Sequence, residues 1–277
     1  MVLAHRSLLG ISHYLRSLSI KDILCSVIIP TLGRSESLEA ALKSLNDQTY
    51  KNFETILVTD KGELAKLRNQ GAQRAKGAIF AFIDDDVVLT PSWLETIVKG
   101  IASGYDVGGV SGPSIVRPIY RRNRDLFRYS IVKALYDKVF LEGLRYLPGH
   151  FTRFGAWTTG ACEETCSYEG EVEFLEACNM SFRRETFEQV GGFDESFKGV
   201  GDYSEPDLSF RIRKLGYKLL FLQGAKLYHN PSRSGAYSRR LADSQNRLRN
   251  YDLFASRHIR PSIRLSCYKL FLAGYYG

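Results

Sequence analysis

The feature that most constrains the fold is an alternation of short β-branched runs with longer amphipathic stretches between Cys25 and Gly112. This alternation is typical of strand and helix units that assemble a parallel sheet. The strands predicted in this region are residues 27–29, 53–59, 78–83 and 107–111. Because parallel strands end at the same edge, Pro30, Asp60 and Asp84 are expected together there, where ligands bind in open α/β sheets. We therefore predict an α/β fold whose first half is a Rossmann-type nucleotide-binding half-sheet.

Apolar residues at helical spacing predict the helices. They cover residues 35–45, 63–76, 91–103, 126–144, 184–190 and 205–215, and a further strand is predicted over 218–222. The pattern contains no internal repeat and no long linker.

The composition suits one large globular domain or two small ones, since the chain has 277 residues, 44% of them hydrophobic and 25% charged. Its longest apolar runs are a handful of residues, far short of the roughly 20 that cross a bilayer. His13 and Arg16 interrupt the apolar N-terminal stretch, which is therefore unlike a signal peptide. The sequence predicts a cytoplasmic protein, with a peripheral position at the inner face of a membrane as a further hypothesis.

The net charge of +8 is concentrated in two segments. Residues 115–153 contribute +6 and residues 233–277 contribute +7, so the remainder of the chain is acidic. Such surfaces either meet phosphates, anionic lipid or nucleic acid, or are simply solvated. The five cysteines are scattered without metal-site spacing, which favours free thiols, and a redox or metal role for Cys162, Cys166 and Cys178 is the weaker alternative.

Three consecutive carboxylates, Asp84, Asp85 and Asp86, follow a predicted buried strand. Adjacent carboxylates repel one another unless a cation or hydrogen-bond donors compensate them. Hard oxygen ligands suit Mg²⁺ or Mn²⁺, which typically completes its shell with substrate phosphates and water. The alternative is a polar turn whose acids cap a helix.

Two common phosphate-binding motifs are missing from the sequence. No G-x-G-x-x-G follows the first strand, and no G-x-x-x-x-G-K occurs anywhere. A dinucleotide-dependent dehydrogenase and a P-loop enzyme are therefore disfavoured.

An ordered series of short motifs resembles the family 2 glycosyltransferases of GT-A fold. The motifs are SVIIPT at 26–31, VTD at 58–60, RN at 68–69, DDD at 84–86, NMSFRR at 179–184, GGFDE at 191–195, EPDL at 205–208, GY at 216–217 and His229. Each motif alone is weak, whereas the series in this order is specific. The resemblance covers roughly residues 25–112 and 173–233.

The resemblance implies a GT-A-like fold in which the nucleotide-binding half-sheet is joined to an acceptor-binding half. The divisions that we expect are an N-terminal extension (1–24), a nucleotide-sugar-binding half (25–112), a basic and aromatic insertion (113–172), an acceptor and catalytic half (173–233) and a basic C-terminal segment (234–277). It also implies an inverting, metal-dependent hexosyltransferase that uses a nucleotide-diphosphate sugar, with a uridine nucleotide as the first expectation.

Donor-binding and metal-binding roles carry over position by position. The residues that the resemblance assigns to the donor are Pro30, Thr31, Arg34, Asp60, Arg68, Asp84 and Asp85. The metal would be held by Asp84, Asp86 and His229, as Mg²⁺ or Mn²⁺. Three of these have ordinary alternatives: Asp60 as a turn residue, Arg68 as an exposed helical cation and His229 as a structural histidine.

For the catalytic base the resemblance points to Glu205, with Asp207 in a supporting role. The family's usual Glu-Asp pair is Ser204-Glu205 here, so the base would be one methylene longer. Asp202 is an alternative base, and acids at a helix N-terminus are also common for structural reasons. Lys61 is a second departure from the family pattern, because an acid or Asn is usual there.

The segments outside the resemblance bear on the acceptor. Five arginines between Arg117 and Arg128 alternate with aromatic rings, a mixture suited to a membrane interface. A lipid-linked acceptor or a growing glycan, met at an anionic membrane surface, is the hypothesis. The apolar residues of the termini, including Leu270, either contact a membrane or pack on the domain.

Two other functions are compatible with the sequence. One is a sugar-nucleotide nucleotidyltransferase, although its usual Gly-rich phosphate loop is missing after the first strand. The other is a non-catalytic module that binds a sugar nucleotide or a nucleic acid, the latter being the less favoured partner.

Overall fold

The computed structural model describes residues 19–31, 33, 35–116, 130–158, 160, 165–231 and 243–276. Within these residues the strands form a seven-stranded sheet in the order β2-β1-β3-β8-β5-β9-β7 and a three-stranded sheet in the order β4-β10-β6. The strands are β1 (Cys25–Pro30), β2 (Phe53–Val58), β3 (Ile79–Ile83), β4 (Val87–Leu89), β5 (Val107–Ser111), β6 (Ser114–Val116), β7 (Gly170–Val172), β8 (Asn179–Arg183), β9 (Lys218–Phe221) and β10 (Leu227–His229).

The helices pack on both faces of the large sheet and beyond its end. The α-helices of the described residues are α1 (Ser35–Asn46), α2 (Leu64–Arg74), α3 (Trp93–Ala102), α4 (Ser130–Val139), α5 (Arg184–Gln189), α6 (Ser204–Lys214), α7 (Ser244–His258) and α8 (Ile263–Tyr276). The predicted α/β class is confirmed.

The four strands predicted in the first half are present, but they do not form a continuous parallel sheet. Strand β8 lies between β3 and β5 and is antiparallel to both. The sequence pattern did not identify β8 because Asn179 and Ser181 interrupt its apolar residues. All five residues of β8 are nevertheless buried.

The helix predicted over 126–144 is shorter in the structure. It occupies Ser130–Val139, and residues 126–129 lie outside the described residues. Beyond it, Glu142 and Gly143 have positive φ angles of 52° and 75°, which an α-helix cannot continue through.

The register of the large sheet places the predicted ligand-binding residues at one edge. Strand β1 is parallel to β2, with Pro30 opposite Val58, and parallel to β3, with Ile28 opposite Phe82. The residues that follow these three strands therefore emerge side by side.

The small sheet brings a distant part of the chain to the same edge. Strand β10 is antiparallel to β4, and His229 pairs with Val87. The backbone N–H of Asn230 also donates to the carbonyl of Asp86 at 2.8 Å. This pairing fixes His229 beside the acidic triplet.

The two faces of the large sheet cover separate hydrophobic cores. Along β3, Ile79, Ala81 and Ile83 point into one core, whereas Phe80 and Phe82 point into the other. This is the two-residue period of a strand buried on both faces.

A third core, here called the aromatic layer, joins α6, α7, α8 and the segment 140–157. Its buried members are Leu141, Ala156, Phe197, Tyr203, Tyr251, Phe254, Ala255, Leu265, Tyr268 and Leu272. Ring pairs dominate its packing; for example, Phe151 stacks on Phe254 with centroids 4.8 Å apart, and Trp157 stacks on Tyr203 at 4.6 Å.

Candidate active site

The acidic triplet occupies the turn between β3 and β4. Asp85 points towards Thr31, whereas Asp84 and Asp86 point towards His229. Asp85 is buried and accepts a hydrogen bond from the Thr31 hydroxyl at 2.6 Å. The same hydroxyl accepts from the backbone N–H of Gly33 at 3.0 Å. Asp85 and Thr31, both predicted to bind the donor, therefore tie the end of β1 to the triplet.

The other two carboxylates, Asp84 and Asp86, lie close to the imidazole of His229. One potential ligand atom from each of these three residues lies within 4.8 Å of the others. The Nε2 atom of His229 is 3.1 Å from Oδ1 of Asp86. Two carboxylate oxygens and one imidazole nitrogen form a donor set that Mg²⁺ or Mn²⁺ accepts, with positions left for water and phosphate. The residues predicted to bind metal therefore fit a divalent cation.

The electrostatics of the cluster also favour a cation. Burial and the neighbouring Asp86 raise the pKa of Asp84, although His229 and Arg68 act in the opposite direction. Burial lowers the pKa of His229, but Cys178 and Asp86 outweigh it and hold this pKa well above its usual value. Both shifts favour the protonated form of the group, and the negative charge of Asp86 is one cause of each.

Arg68 connects this cluster to the predicted base. It projects from α2, is 1% exposed, and its Nη1 lies 2.5 Å from Oε1 of Glu205. Its Nη2 lies 3.9 Å from Oδ1 of Asp84 and donates to the carbonyl of Ala177 at 3.2 Å. The guanidinium carbon also lies 5.4 Å from the centroid of the Phe193 ring. The alternative of an exposed helical cation is therefore wrong.

Glu205 lies in the first turn of α6, which begins directly after Tyr203 in the left-handed conformation (φ 74°). The carboxylate is buried, and burial raises its pKa, whereas the ion pair with Arg68 lowers it. The result is a pKa above the usual value of a glutamate. A carboxyl group with a raised pKa can accept a proton more readily at neutral pH.

Asp202 and Asp207, the other acids of this region, have different surroundings. Asp202 is paired with Arg247, and both side chains are buried. The Asp207 carboxylate is fully buried, with Arg211 Nε and His258 Nε2 each 2.8 Å away. These partners outweigh burial and lower the pKa of Asp207. Asp207 thus connects α6 to the end of α7, and its supporting role in catalysis stays a prediction.

Two more of the predicted donor residues, Pro30 and Asp60, lie along the same edge. Pro30 ends β1, and Asp60 follows β2. Asp60 is exposed, and its Oδ2 lies 3.6 Å from Nη2 of Arg74. Arg34 lies outside the described residues.

Asn179 is a structural residue. Its side-chain amide donates to the carbonyls of Gly112 and Ala225 at 3.0 and 2.8 Å, and its oxygen accepts from the indole of Trp93 at 2.9 Å. It therefore satisfies buried backbone groups where β8 reaches the edge.

Two neighbours of the site were missed in the sequence. Cys178 interacts with His229, and Phe193 lies against Arg68. The GGFDE motif contains Phe193, but only the folded chain shows which residue the ring contacts. Among the described cysteines, Cys25, Cys166, Cys178 and Cys267 are free thiols.

Comparison with known proteins defines the class first. A mannosyltransferase from Pyrobaculum calidifontis, solved with GDP-Man and Mn²⁺, superposes with a TM-score of 0.54 at 16% identity and covers 99% of this chain and 78% of its own. At this identity the likeness concerns the fold, which is the GT-A fold of glycosyltransferases.

The sequence comparisons then identify the family. The model of the family "Glycosyl transferase family 2" matches residues 26–63 and 61–158. The amylovoran biosynthesis glycosyltransferase AmsB of Erwinia amylovora is 28% identical over 247 residues, which are 78% of this chain and 73% of AmsB. The glucosyl-dolichyl phosphate glucuronosyltransferase of Haloferax volcanii is 24% identical over 239 residues, 74% of this chain and 68% of that protein. The family model and these relatives together support a family 2 glycosyltransferase.

Proposed function

We propose that the protein transfers a hexosyl group from a nucleotide-diphosphate sugar to an acceptor hydroxyl, with inversion at the anomeric carbon. The observation that carries this proposal is the arrangement around Arg68, which contacts Glu205 on one side and approaches Asp84 of the Asp84, Asp86 and His229 cluster on the other. The cluster suited to a metal-bound diphosphate and the carboxylate suited to accept a proton therefore lie on either side of Arg68.

Asp84, Asp86 and His229 would hold Mg²⁺ or Mn²⁺. The bound ion would neutralise the negative charge that develops on the leaving diphosphate. Asp85 and Thr31 would keep the turn in place, because their hydrogen bond joins the triplet to β1. Asp60 and Pro30, with Arg34, would form the nucleoside side of the pocket.

Glu205 would take the proton of the acceptor hydroxyl. In this direct displacement, the acceptor oxygen bonds to the anomeric carbon from the face opposite the diphosphate as the bond to the phosphate oxygen breaks. Burial supports the role of Glu205 by raising its pKa, and Arg68 holds its carboxylate in one position.

The acceptor class that we propose is a growing glycan or a lipid-linked sugar. The support comes from the relatives, one of which is named for amylovoran biosynthesis and another for a glucosyl-dolichyl phosphate substrate.

The proposal is tested first by ligand binding. The melting temperature of the protein is measured with UDP, GDP, CDP, dTDP and their common sugar conjugates, each with Mn²⁺, with Mg²⁺ and with a chelator. A ligand that binds the native state raises the melting temperature by mass action. We expect one nucleotide family to do so only with a divalent cation.

A stabilising sugar nucleotide is then incubated with the enzyme, and release of the nucleoside diphosphate is followed with candidate acceptors. Product anomers assigned by NMR distinguish inversion from retention. A nucleotide that raises the melting temperature equally with and without a divalent cation would refute the metal assignment. Pyrophosphate release from a nucleoside triphosphate would instead indicate a nucleotidyltransferase.

A further inference from the structure

Two neighbouring helices expose rows of large apolar side chains on the faces that point away from the aromatic layer. On α4, Ile131 and Leu135 are 80% and 61% exposed and are four residues apart. On α8, Ile263 and Leu270 are 84% and 74% exposed and are seven residues apart. These spacings place each pair on one side of its helix. Together the four residues are called here the α4–α8 face.

The opposite sides of both helices pack against each other and against the aromatic layer. The hydroxyls of Tyr136 and Tyr268 are 3.1 Å apart, and the rings of Phe140 and Phe271 lie 4.8 Å apart. Tyr268 and Leu272 are buried, so the apolar residues of α8 divide between packing and exposure. The exposed rows therefore have no function in holding the two helices together.

The charges around the α4–α8 face are predominantly positive. Lys133 and Lys138 are exposed on α4, Arg264 is exposed in the first turn of α8, and Arg260 is exposed just before this helix. The acid on α4, Asp137, receives two hydrogen bonds from Arg145 at 2.8 and 2.9 Å. No acidic residue occurs in α8. An apolar row flanked by cations is complementary to the surface of an anionic bilayer.

The dimensions of the helices indicate how such a surface would be used. None of the described helices has both the length and the apolar content to cross a membrane. Helices α4 and α8 have 10 and 14 residues. They suit a position parallel to the membrane plane, with the apolar row at the boundary between headgroups and acyl chains.

We propose that the α4–α8 face docks the protein on an anionic lipid bilayer through Ile131, Leu135, Ile263 and Leu270. The aromatic layer connects this face to the active site, since Tyr268 packs on Tyr251 at 5.6 Å and Tyr251 packs on Tyr203 at 5.2 Å. Tyr203 precedes the helix of Glu205. The proposal concerns binding to lipid and does not require the proposed sugar transfer.

The test is co-sedimentation with vesicles of phosphatidylcholine alone and of equal parts phosphatidylcholine and phosphatidylglycerol. We expect binding to the anionic vesicles that weakens as salt is raised. The double variant Leu135→Ser, Leu270→Ser should reduce the partition coefficient at least about tenfold, because both side chains lose their apolar contact with the bilayer.

A matched control is Leu215→Ser, since Leu215 is an exposed leucine at the end of α6. It should bind vesicles as the unmodified protein does. Lys133→Gln with Lys138→Gln should weaken binding to anionic vesicles and reduce its salt dependence. Melting curves and circular dichroism show that each variant is folded.

Three results would overturn the proposal. One is no binding to either vesicle composition. Another is full binding by the Leu135→Ser, Leu270→Ser variant, which would assign membrane contact to another part of the chain. The third is a dimer of the unmodified protein in light scattering, with the double variant monomeric and equally able to bind lipid. In that case a second copy of the chain would cover the α4–α8 face. Loss of lipid binding with normal nucleotide binding would leave the proposed function untouched.

Discussion

Thr31, Asp60 and residues 84–86 form an edge that is here called the donor edge. The donor edge and the aromatic layer are held together by different kinds of contact. At the donor edge, a few polar contacts position charged groups; Thr31 and Asp85, for example, are joined by one 2.6 Å hydrogen bond. In the aromatic layer, stacked rings from distant segments exclude water, as Phe151 and Phe254 do. We therefore expect that chemistry and stability can be perturbed separately in this protein.

The largest expected effect on chemistry is at Asp86. Asp86→Ala should reduce transfer by at least about 10³-fold, because the variant lacks a carboxylate of the proposed metal site. Stability should change little, because relief of the repulsion between adjacent carboxylates offsets loss of the Asp86–His229 contact. Initial rates and melting curves with and without Mn²⁺ measure both effects. Normal turnover in this variant would refute the metal assignment.

Glu205→Gln should lower the rate of transfer about 10²- to 10⁴-fold while the affinity for the sugar nucleotide is retained. The control is Asp202→Asn, which breaks a buried ion pair and should destabilise the protein by about 3–5 kcal/mol. If folded Asp202→Asn no longer transfers the sugar and Glu205→Gln transfers it at the normal rate, the base is Asp202.

Phe254→Ala tests the other side of the comparison. Phe254 is fully buried and its ring packs against Phe151, Tyr203 and Phe210. Its truncation should lower the free energy of unfolding by about 3–5 kcal/mol. Denaturant titration gives this value, and Phe254→Leu should cost less. Nucleotide affinity of the folded protein should be unchanged; a large loss of affinity would mean that the two regions are energetically coupled.

Asp60→Ala should weaken nucleotide binding about 10- to 150-fold, since a hydrogen bond to a charged group contributes roughly 1.5–3 kcal/mol. Isothermal titration calorimetry with the stabilising nucleotide measures this effect. Arg74→Ala removes the ion-pair partner of Asp60 and serves as the control. Equal affinities for the unmodified protein and Asp60→Ala would show that Asp60 is only a turn residue.

The smallest effect expected is a shift in pH dependence. Because Glu205 must be ionised to accept a proton and its pKa is raised by burial, kcat should fall as pH decreases through a value above the usual pKa of a glutamate. Arg68 lowers this pKa, so Arg68→Gln should move the acid limb to higher pH. Arg68→Lys keeps the charge and should move it less. If the acid limb of the kcat profile does not move in Arg68→Gln, the group that titrates in this limb is not Glu205.

Local patterns were sufficient for much of the donor edge. The alternation of short β-branched runs with amphipathic stretches located β1, β2, β3 and β5 within about two residues. The acidic triplet and His229 were identified from the sequence, and the structure brings Asp84, Asp86 and His229 together.

Other features depended on contacts between residues far apart in the chain. Strand β8 enters the sheet because its polar side chains find partners in the fold, as Asn179 does with Gly112, Ala225 and Trp93. The aromatic layer had no sequence signature, since its rings lie between Tyr136 and Phe271 without a common period. Long-range packing of this kind is not encoded in any short window.

Short-range periodicity and residue type were enough to predict the α/β class, the family resemblance and the identity of the carboxylates. Only the tertiary structure decided that Arg68 is buried between Glu205 and Asp84, and that Asp207 is occupied by Arg211 and His258. The physical reason is that an ionic partner is chosen by distance and burial after folding, and Arg68 and Glu205 are 137 residues apart in the chain.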